Sequence, residues 1–228
     1  MAEVGKGLGT ASDLILRIRE CTLTTYNNLP NTLFITSLLM GAIQGNLPMI
    51  WVALGFVINA GITGVTQELL GLLFPKWNQI HQTTSPMCTI LPEFSPGAAK
   101  PTHIVTPSMW FSATTYFVTF IFYNAAQVAM RPAAASASAK RVDARIAFSM
   151  SVILLSIFFF FLILLRGFTG CETWFGSIFG IVLGSSFAIG YWELLNVCGS
   201  GIPPDILNVV AATAPESSTD PTPVICTS

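Results

Sequence analysis

Five stretches of apolar residues, separated by polar segments, organise the chain. They cover residues 32–43, 49–74, 108–130, 146–165 and 175–197. The fourth is the clearest, because its sequence SVILLSIFFFFLILL contains no charge and no helix breaker. Crossing the hydrocarbon core of a bilayer takes about 20 helical residues, and the four later stretches are that long. The pattern predicts an all-α polytopic transmembrane bundle of about five spans, with four to six as the range.

Composition supports lipid as the solvent for much of the surface. Hydrophobic residues make up 52% of the chain and charged residues only 9%, whereas soluble domains contain about 25% charged residues. Long continuous apolar runs favour helices over the alternating strands of a membrane β-barrel. The net charge is −1 and no run of Lys or Arg is long. Binding of nucleic acid through its phosphates is therefore not expected.

The polar segments divide the chain into three parts. Residues 1–28 form a polar N-terminal segment, in which 13–19 could lie on the membrane surface as an amphipathic turn or belong to a partly ordered tail. Residues 29–198 hold the bundle, including a loop at 75–107 with prolines at six positions. Residues 199–228 contain no Lys or Arg and are predicted to be disordered or weakly ordered.

Two features of topology remain open in the sequence. The first apolar stretch is short and is interrupted by Gln44, Gly45, Asn46 and Pro48, so it either pairs with the second through a tight turn or is re-entrant. The segment 131–145 holds four basic residues, and the positive-inside rule places it in the cytoplasm. Five spans would then put the N-terminal segment outside, although it also carries basic residues.

A ladder of small residues runs along the last apolar stretch. It consists of Gly176, Gly180, Gly184 and Ala188, spaced four residues apart on one helix face. Small residues let helix backbones approach closely in lipid, so this face is predicted to pack against another helix of the chain or against a second subunit.

Four polar residues fall within or near the predicted spans: Asn59, Glu68, Asn124 and Glu193. The two asparagines are expected to form hydrogen bonds between helices. Glu68 is expected to form an ion pair with Lys76 or Arg166. Glu193 either reaches the membrane interface or carries protons.

Candidate cysteine and histidine chemistry is sparse. The five cysteines include no CxxC pair, and the histidines are His81 and His103 in the proline-rich loop. No metal site and no cofactor are predicted. Cys88 and Cys171 fall in two loops on the same predicted face, where they are either joined by a disulfide or remain free thiols.

The order of helices and a few residues resemble the type-2 phosphatidic acid phosphatase family of membrane lipid phosphatases. The similarity covers about residues 49–197. Pro107 and Ser108 open the third apolar stretch, and Arg166 follows the fourth. All three match that family's motifs. The resemblance implies a related bundle with a phosphate site on one membrane face.

The residues that would perform this family's chemistry are absent. At the positions of its nucleophilic and acid histidines the chain has Glu172 and Trp110, and Gly176 replaces the orienting aspartate. A glutamate would repel a phosphate dianion, and an indole does not donate a proton at neutral pH. Pro107, Ser108, Arg166 and Glu172 are therefore interpreted as remnants of a substrate site, with no catalytic residues.

The sequence thus predicts a non-catalytic, multi-pass structural or scaffold protein of a membrane. One setting in which such proteins occur is the internal membrane of a large virus, next to the capsid. The expected partners are the lipid bilayer and other membrane or capsid-type proteins, bound through residues 75–107 and the two tails. Two alternatives are a divergent lipid phosphatase that uses His81 or His103, and a small transporter or channel that uses Asn59, Glu68 and Glu193.

Overall fold

The computed structural model describes residues 24–74, 106–132, 139–169 and 172–198, together with 13–15, 17, 18, 21 and 206. This part of the chain is helical and contains no strand. Its main helices are α1 (Leu29–Gln44), α2 (Leu47–Leu73), α3 (Met109–Met130), α4 (Ala139–Leu164) and α5 (Trp174–Cys198). A 3₁₀ turn, Leu165–Thr169, follows α4.

The helix ends follow from local sequence. Gly45 adopts φ 64°, a left-handed conformation that glycine reaches without strain, and it ends α1. Asn46 then caps α2, because its side-chain oxygen accepts a hydrogen bond from the Met49 N–H at 3.4 Å. Ser108 caps α3 in the same way through the Phe111 N–H at 3.1 Å. The first two apolar stretches therefore form two helices joined by a tight turn.

Three helical segments are long and apolar enough to cross a membrane: Leu47–Leu73, Val142–Phe168 and Trp174–Cys198. The predicted number was about five. The other two helices fall short for different reasons, since α1 has only 16 residues and α3 is less apolar. The described residues therefore confirm a helical architecture with three candidate membrane spans.

The central helix is α3, which contacts α1, α2, α4 and α5. Its polar residues Ser112, Thr114, Thr115 and Asn124 are buried by these neighbours. Tyr116 is also buried and donates a hydrogen bond to the Val52 carbonyl at 3.0 Å. The polar side chains of α3 are thus covered by other helices. The outer surface of α4, in contrast, exposes large apolar side chains such as Leu154 and Phe161.

Helices that follow one another in the chain run in opposite directions, so the bundle has two ends, and the packed pair α3 and α5 is parallel. The Arg166 end carries the starts of α1, α3 and α5 and the ends of α2 and α4, and the Asn46 end carries the opposite termini. An apolar cavity of about 130 Å³ lies between α1, α3 and α4, lined by residues including Leu33, Phe117 and Phe159. Neither Arg166 nor Glu172 lines it.

Two boundaries differ from the sequence prediction. Helix α4 begins at Ala139 rather than at 146, so Lys140 and Arg145 belong to its first turns. Ile206 falls in the segment predicted to be disordered or weakly ordered, yet it is buried against the core and its carbonyl accepts a hydrogen bond from Asn46 Nδ2 at 2.7 Å. The capping residue of α2 therefore also anchors the chain beyond α5.

Candidate functional site

Four separate segments meet at the Arg166 end of the bundle. They are the residues just before α1, the start of α3, the 3₁₀ turn after α4, and the residues just before α5. Pro107, Ser108, Arg166 and Glu172, identified from the sequence, all lie here. We call Arg166, Glu172, Asn27 and Trp110 the Arg166 cluster.

Arg166 is the centre of this cluster and is only 1% exposed. Its Nε donates to Glu172 Oε1 at 3.1 Å, and its Nη1 donates to Asn27 Oδ1 at 2.6 Å. Its guanidinium carbon lies 4.4 Å from the centre of the Trp110 ring, which places a cation over an aromatic face. Three different types of partner therefore hold the guanidinium in one orientation.

Trp110 is completely buried. Its indole N–H donates to the carbonyl groups of Tyr26 and Asn27, at 3.3 and 3.1 Å. The Tyr26 hydroxyl in turn donates to the Leu162 carbonyl near the end of α4, at 2.8 Å. These bonds hold the residues before α1 against α3 and α4. This segment helps to cover Trp110 and Arg166, and in this sense the Arg166 cluster is closed to solvent.

Glu172 is the only acidic partner of Arg166 among the described ion pairs, and its side chain is 6% exposed. Burial raises the pKa of this carboxyl above its usual value, while hydrogen bonding to Ser108 and the charge of Arg166 act in the opposite direction. Its second oxygen, Oε2, has no hydrogen-bond partner in the described part of the chain. The carboxyl is thus held by the Arg166 guanidinium and by Ser108.

Ser108 and Pro107 connect α3 to the neighbouring helices. The Ser108 N–H donates to the Gly176 carbonyl at 3.0 Å, at the start of α5. The Pro107 carbonyl accepts a hydrogen bond from Gln67 Nε2 at 2.6 Å, near the end of α2. Backbone atoms of both residues therefore link the start of α3 to the neighbouring helices α5 and α2.

The chemistry available to the cluster is limited. The carboxyl of Glu172 lies against the guanidinium, so a ligand of Arg166 would have to displace this buried ion pair. The part of the chain that the structure describes contains no histidine. Within the described residues, no three His, Cys, Asp or Glu side chains are grouped so that they could hold a metal ion.

The small-residue ladder of α5 faces α3. Gly176, Gly180, Gly184 and Ala188 are all buried. A Cβ added to Gly180 would lie 2.7 Å from the Ser108 carbonyl oxygen, and one added to Gly184 would meet the Ser112 carbonyl oxygen and Thr115 Oγ1. Of the two partners considered for this face, the structure shows a helix of the same chain.

The two asparagines lie inside the bundle and bond between helices. Asn59 Nδ2 donates to Ser112 Oγ at 3.1 Å, joining α2 to α3. Asn124 Oδ1 accepts from Trp192 Nε1 at 3.1 Å, joining α3 to α5. Both pairs are buried, so each polar group is satisfied in a region without water.

The two intramembrane glutamates are exposed on the outside of the bundle. Glu193 accepts a hydrogen bond from the Tyr123 hydroxyl at 2.5 Å. Arg166, one of the two partners considered for Glu68, is bonded to Glu172 instead.

Several predicted residues lie outside the described part of the chain: Cys88, Cys171, His81, His103 and Lys76. Conversely, no sequence pattern indicated that Tyr26 and Asn27 join the site. The only signal would have been their amphipathic and polar character just before an apolar stretch. The contact itself spans 139 residues of chain and depends on how the helices pack.

Comparison with protein-family models, with curated proteins and with solved structures gives no match. The function of this chain must therefore be argued from its own geometry.

Proposed function

We propose that this chain is a non-catalytic integral membrane protein whose five helices all cross the bilayer and which acts as a structural or scaffold element. The single observation that carries this proposal is the closed Arg166 cluster. Arg166 is buried, neutralised by Glu172 and covered by Trp110. A lipid phosphatase would need that guanidinium exposed to substrate and a nucleophile beside it.

Two further observations support five spans. Helical hydrogen bonds continue before α1, because the Asn28 N–H bonds to the Thr24 carbonyl and the Thr32 N–H to the Asn28 carbonyl, both at 3.0 Å. Residues 24–27 are helical and are separated from α1 by a turn at Asn28, and 21 helical residues, the number from 24 to 44, span about 31 Å, which matches the hydrocarbon core. Helix α3, with 22 residues, is long enough, and its polar groups are satisfied within the bundle.

The chain itself provides cysteines for a topology test. Five spans place Cys21 and Cys88 on one membrane face and Cys198 on the opposite face. A Lys140→Cys variant belongs with Cys198. We would label single-cysteine variants with a membrane-impermeant maleimide in sealed vesicles of known orientation. Cys21 on the same face as Cys198 would show that α1 does not cross, and Cys88 on the same face as residue 140 would exclude crossing by α3.

The absence of catalysis has its own test. Protein reconstituted in liposomes should not release phosphate from phosphatidic acid above the rate of empty liposomes. Arg166→Ala and His103→Ala variants, prepared in parallel, should be indistinguishable from wild type. Turnover by the wild type that is lost in either variant would instead support the divergent phosphatase. Scaffold partners would bind through residues 75–107 and the terminal segments, which extend from the bundle in sequence.

A further inference from the structure

Two arginines, Arg145 buried and Arg131 half-buried, are in contact at the opposite end of the bundle. Arg131 follows the last residue of α3, and Arg145 lies in the second turn of α4. Arg145 Nη2 donates to the Arg131 carbonyl oxygen at 2.6 Å, so the two residues are in contact. This bond also satisfies a carbonyl at the end of α3, which gives Arg145 a structural role.

That structural role uses one donor of Arg145 and leaves others buried without a partner. Arg145 is only 6% exposed, and its Nε has no hydrogen-bond partner in the described part of the chain. The same holds for Nη1 of Arg131. A guanidinium has five N–H donors and does not lose its charge in proteins. A buried cation beside a half-buried one, each with a buried donor that lacks a partner in the described part of the chain, is therefore unfavourable unless an anion binds them.

The described acidic residues at this end do not supply that anion. Asp143 on α4 is exposed, and Glu193 on α5 accepts its bond from Tyr123. Neither forms an ion pair with Arg131 or Arg145 within the described structure. Lys140, five residues before Arg145, is exposed and is not part of this pair.

We propose that Arg131 and Arg145 form a binding site for a phosphate group. Guanidinium groups bind phosphate through paired N–H donors, and this chemistry satisfies the buried Nε and Nη1 atoms together. The site lies where the ends of α3 and α4 meet the membrane interface, which is the depth of lipid headgroups. An anionic phospholipid therefore fits the site, and free inorganic phosphate is the other source of the same group. The lipid source depends on the membrane crossing proposed above.

The test uses the full-length protein in a neutral detergent. Short-chain phosphatidic acid, short-chain phosphatidylcholine and inorganic phosphate are titrated separately, and Tm is followed. We expect a saturable rise with phosphatidic acid, of roughly 5 °C at 100 times Kd. Little or no rise is expected with phosphatidylcholine. If inorganic phosphate gives the same saturable rise, the site stands and its ligand is the free ion. No saturable rise with any phosphate would overturn the proposal.

Variants separate the site from general attraction between charges. Arg145→Gln should bind at least about tenfold more weakly, because a charge-assisted pair is lost. Lys140→Gln removes an exposed charge from the same end and should bind as the wild type does. An equal loss in both variants, or an unchanged affinity in Arg145→Gln, would contradict the proposal.

Because Arg145 also caps α3, Arg145→Gln could fail to fold. Arg131→Gln keeps the capping bond, since that bond uses the backbone carbonyl of residue 131. It should fold and still lose affinity for phosphate. The maleimide topology experiment is independent of these titrations, so failure of the spans and failure of the phosphate site can be told apart.

Discussion

Arg166 and Glu172 form a buried ion pair with an Nε to Oε1 distance of 3.1 Å, only six residues apart in the chain. The pair joins the turn after α4 to the start of α5. Its side chains are 1% and 6% exposed, so each ion depends on the other for compensation. Such a pair is stable only while both members are present.

Removing the guanidinium should destabilise the protein. Arg166→Gln leaves Glu172 buried without its cation, and we expect the free energy of unfolding to fall by about 3–5 kcal/mol at pH 8. The loss should be smaller at pH 5, where the carboxyl can take up a proton instead. Thermal or denaturant unfolding in detergent measures both values. Lys140→Gln, an exposed control, should change stability by less than about 0.5 kcal/mol. Equal stability of Arg166→Gln and wild type at pH 8 would contradict this role.

The ionisation of Glu172 should make stability depend on pH. Burial raises its pKa above the ordinary value of 4.5, so the folded protein keeps this proton to a higher pH than the unfolded chain does. The stability that this group contributes is therefore full below about pH 4.5 and is lost as pH rises through the raised pKa. Glu172→Gln should remove this slope. A wild type that becomes more stable than Glu172→Gln as pH rises would show that the pKa is shifted downward.

Close packing of α5 on α3 should make Gly184 intolerant of a side chain. Gly184→Ala forces a methyl group against the Ser112 carbonyl and Thr115, and overpacking of this type costs about 1–3 kcal/mol. Gly190, on the same helix, faces open space. Gly190→Ala should leave stability unchanged or raise it by about 0.5–1 kcal/mol. The two variants would be compared by Tm in the same detergent. Similar losses in both would mean that α5 does not pack on α3 through this face.

The bond between Asn124 and Trp192 should be measurable by a double-mutant cycle. Asn124→Leu leaves the indole N–H without its acceptor, and Trp192→Phe leaves the amide oxygen without its donor. Hydrogen bonds between membrane helices contribute about 0.6 kcal/mol on average and up to about 1.7 kcal/mol. The double variant should therefore be more stable than the sum of the single losses predicts. Additive losses would indicate that the two side chains do not interact in solution.

The sequence predicted those parts of the molecule that depend on local pattern. Long apolar runs predicted helices close to the observed α2, α3 and α5, and the interruption at residues 44–48 predicted a turn. The start of α4 was placed too late, because its first turns carry Lys140 and Arg145 and helix formation tolerates charges at an exposed end. Apolarity locates the buried part of a membrane helix and says less about where the helix begins.

The sequence did not predict the contacts between segments that lie far apart in the chain. The motif positions Pro107, Ser108, Arg166 and Glu172 were singled out, and they do lie at one end of the bundle. The participation of Asn27 and Tyr26 was not anticipated, because it depends on where the chain before α1 crosses the ends of α3 and α4. Likewise the glycine ladder indicated close packing, whereas only the fold shows that its partner is α3.

The buried polar side chains of α3 affect how the protein is inserted into a membrane during synthesis. Helices α2, α4 and α5 are apolar enough to leave the translocon for lipid on their own, whereas α3 buries Ser112, Thr115 and Asn124 against neighbours. Its main partner along the glycine ladder, α5, leaves the ribosome after α2, α3 and α4. In the proposed five-span protein, a nascent chain that stops before α5 exposes the hydroxyl and amide groups of α3 to acyl chains. Such truncated products should therefore be retained by the insertion machinery or degraded, because α3 is covered only after α5 has been synthesised.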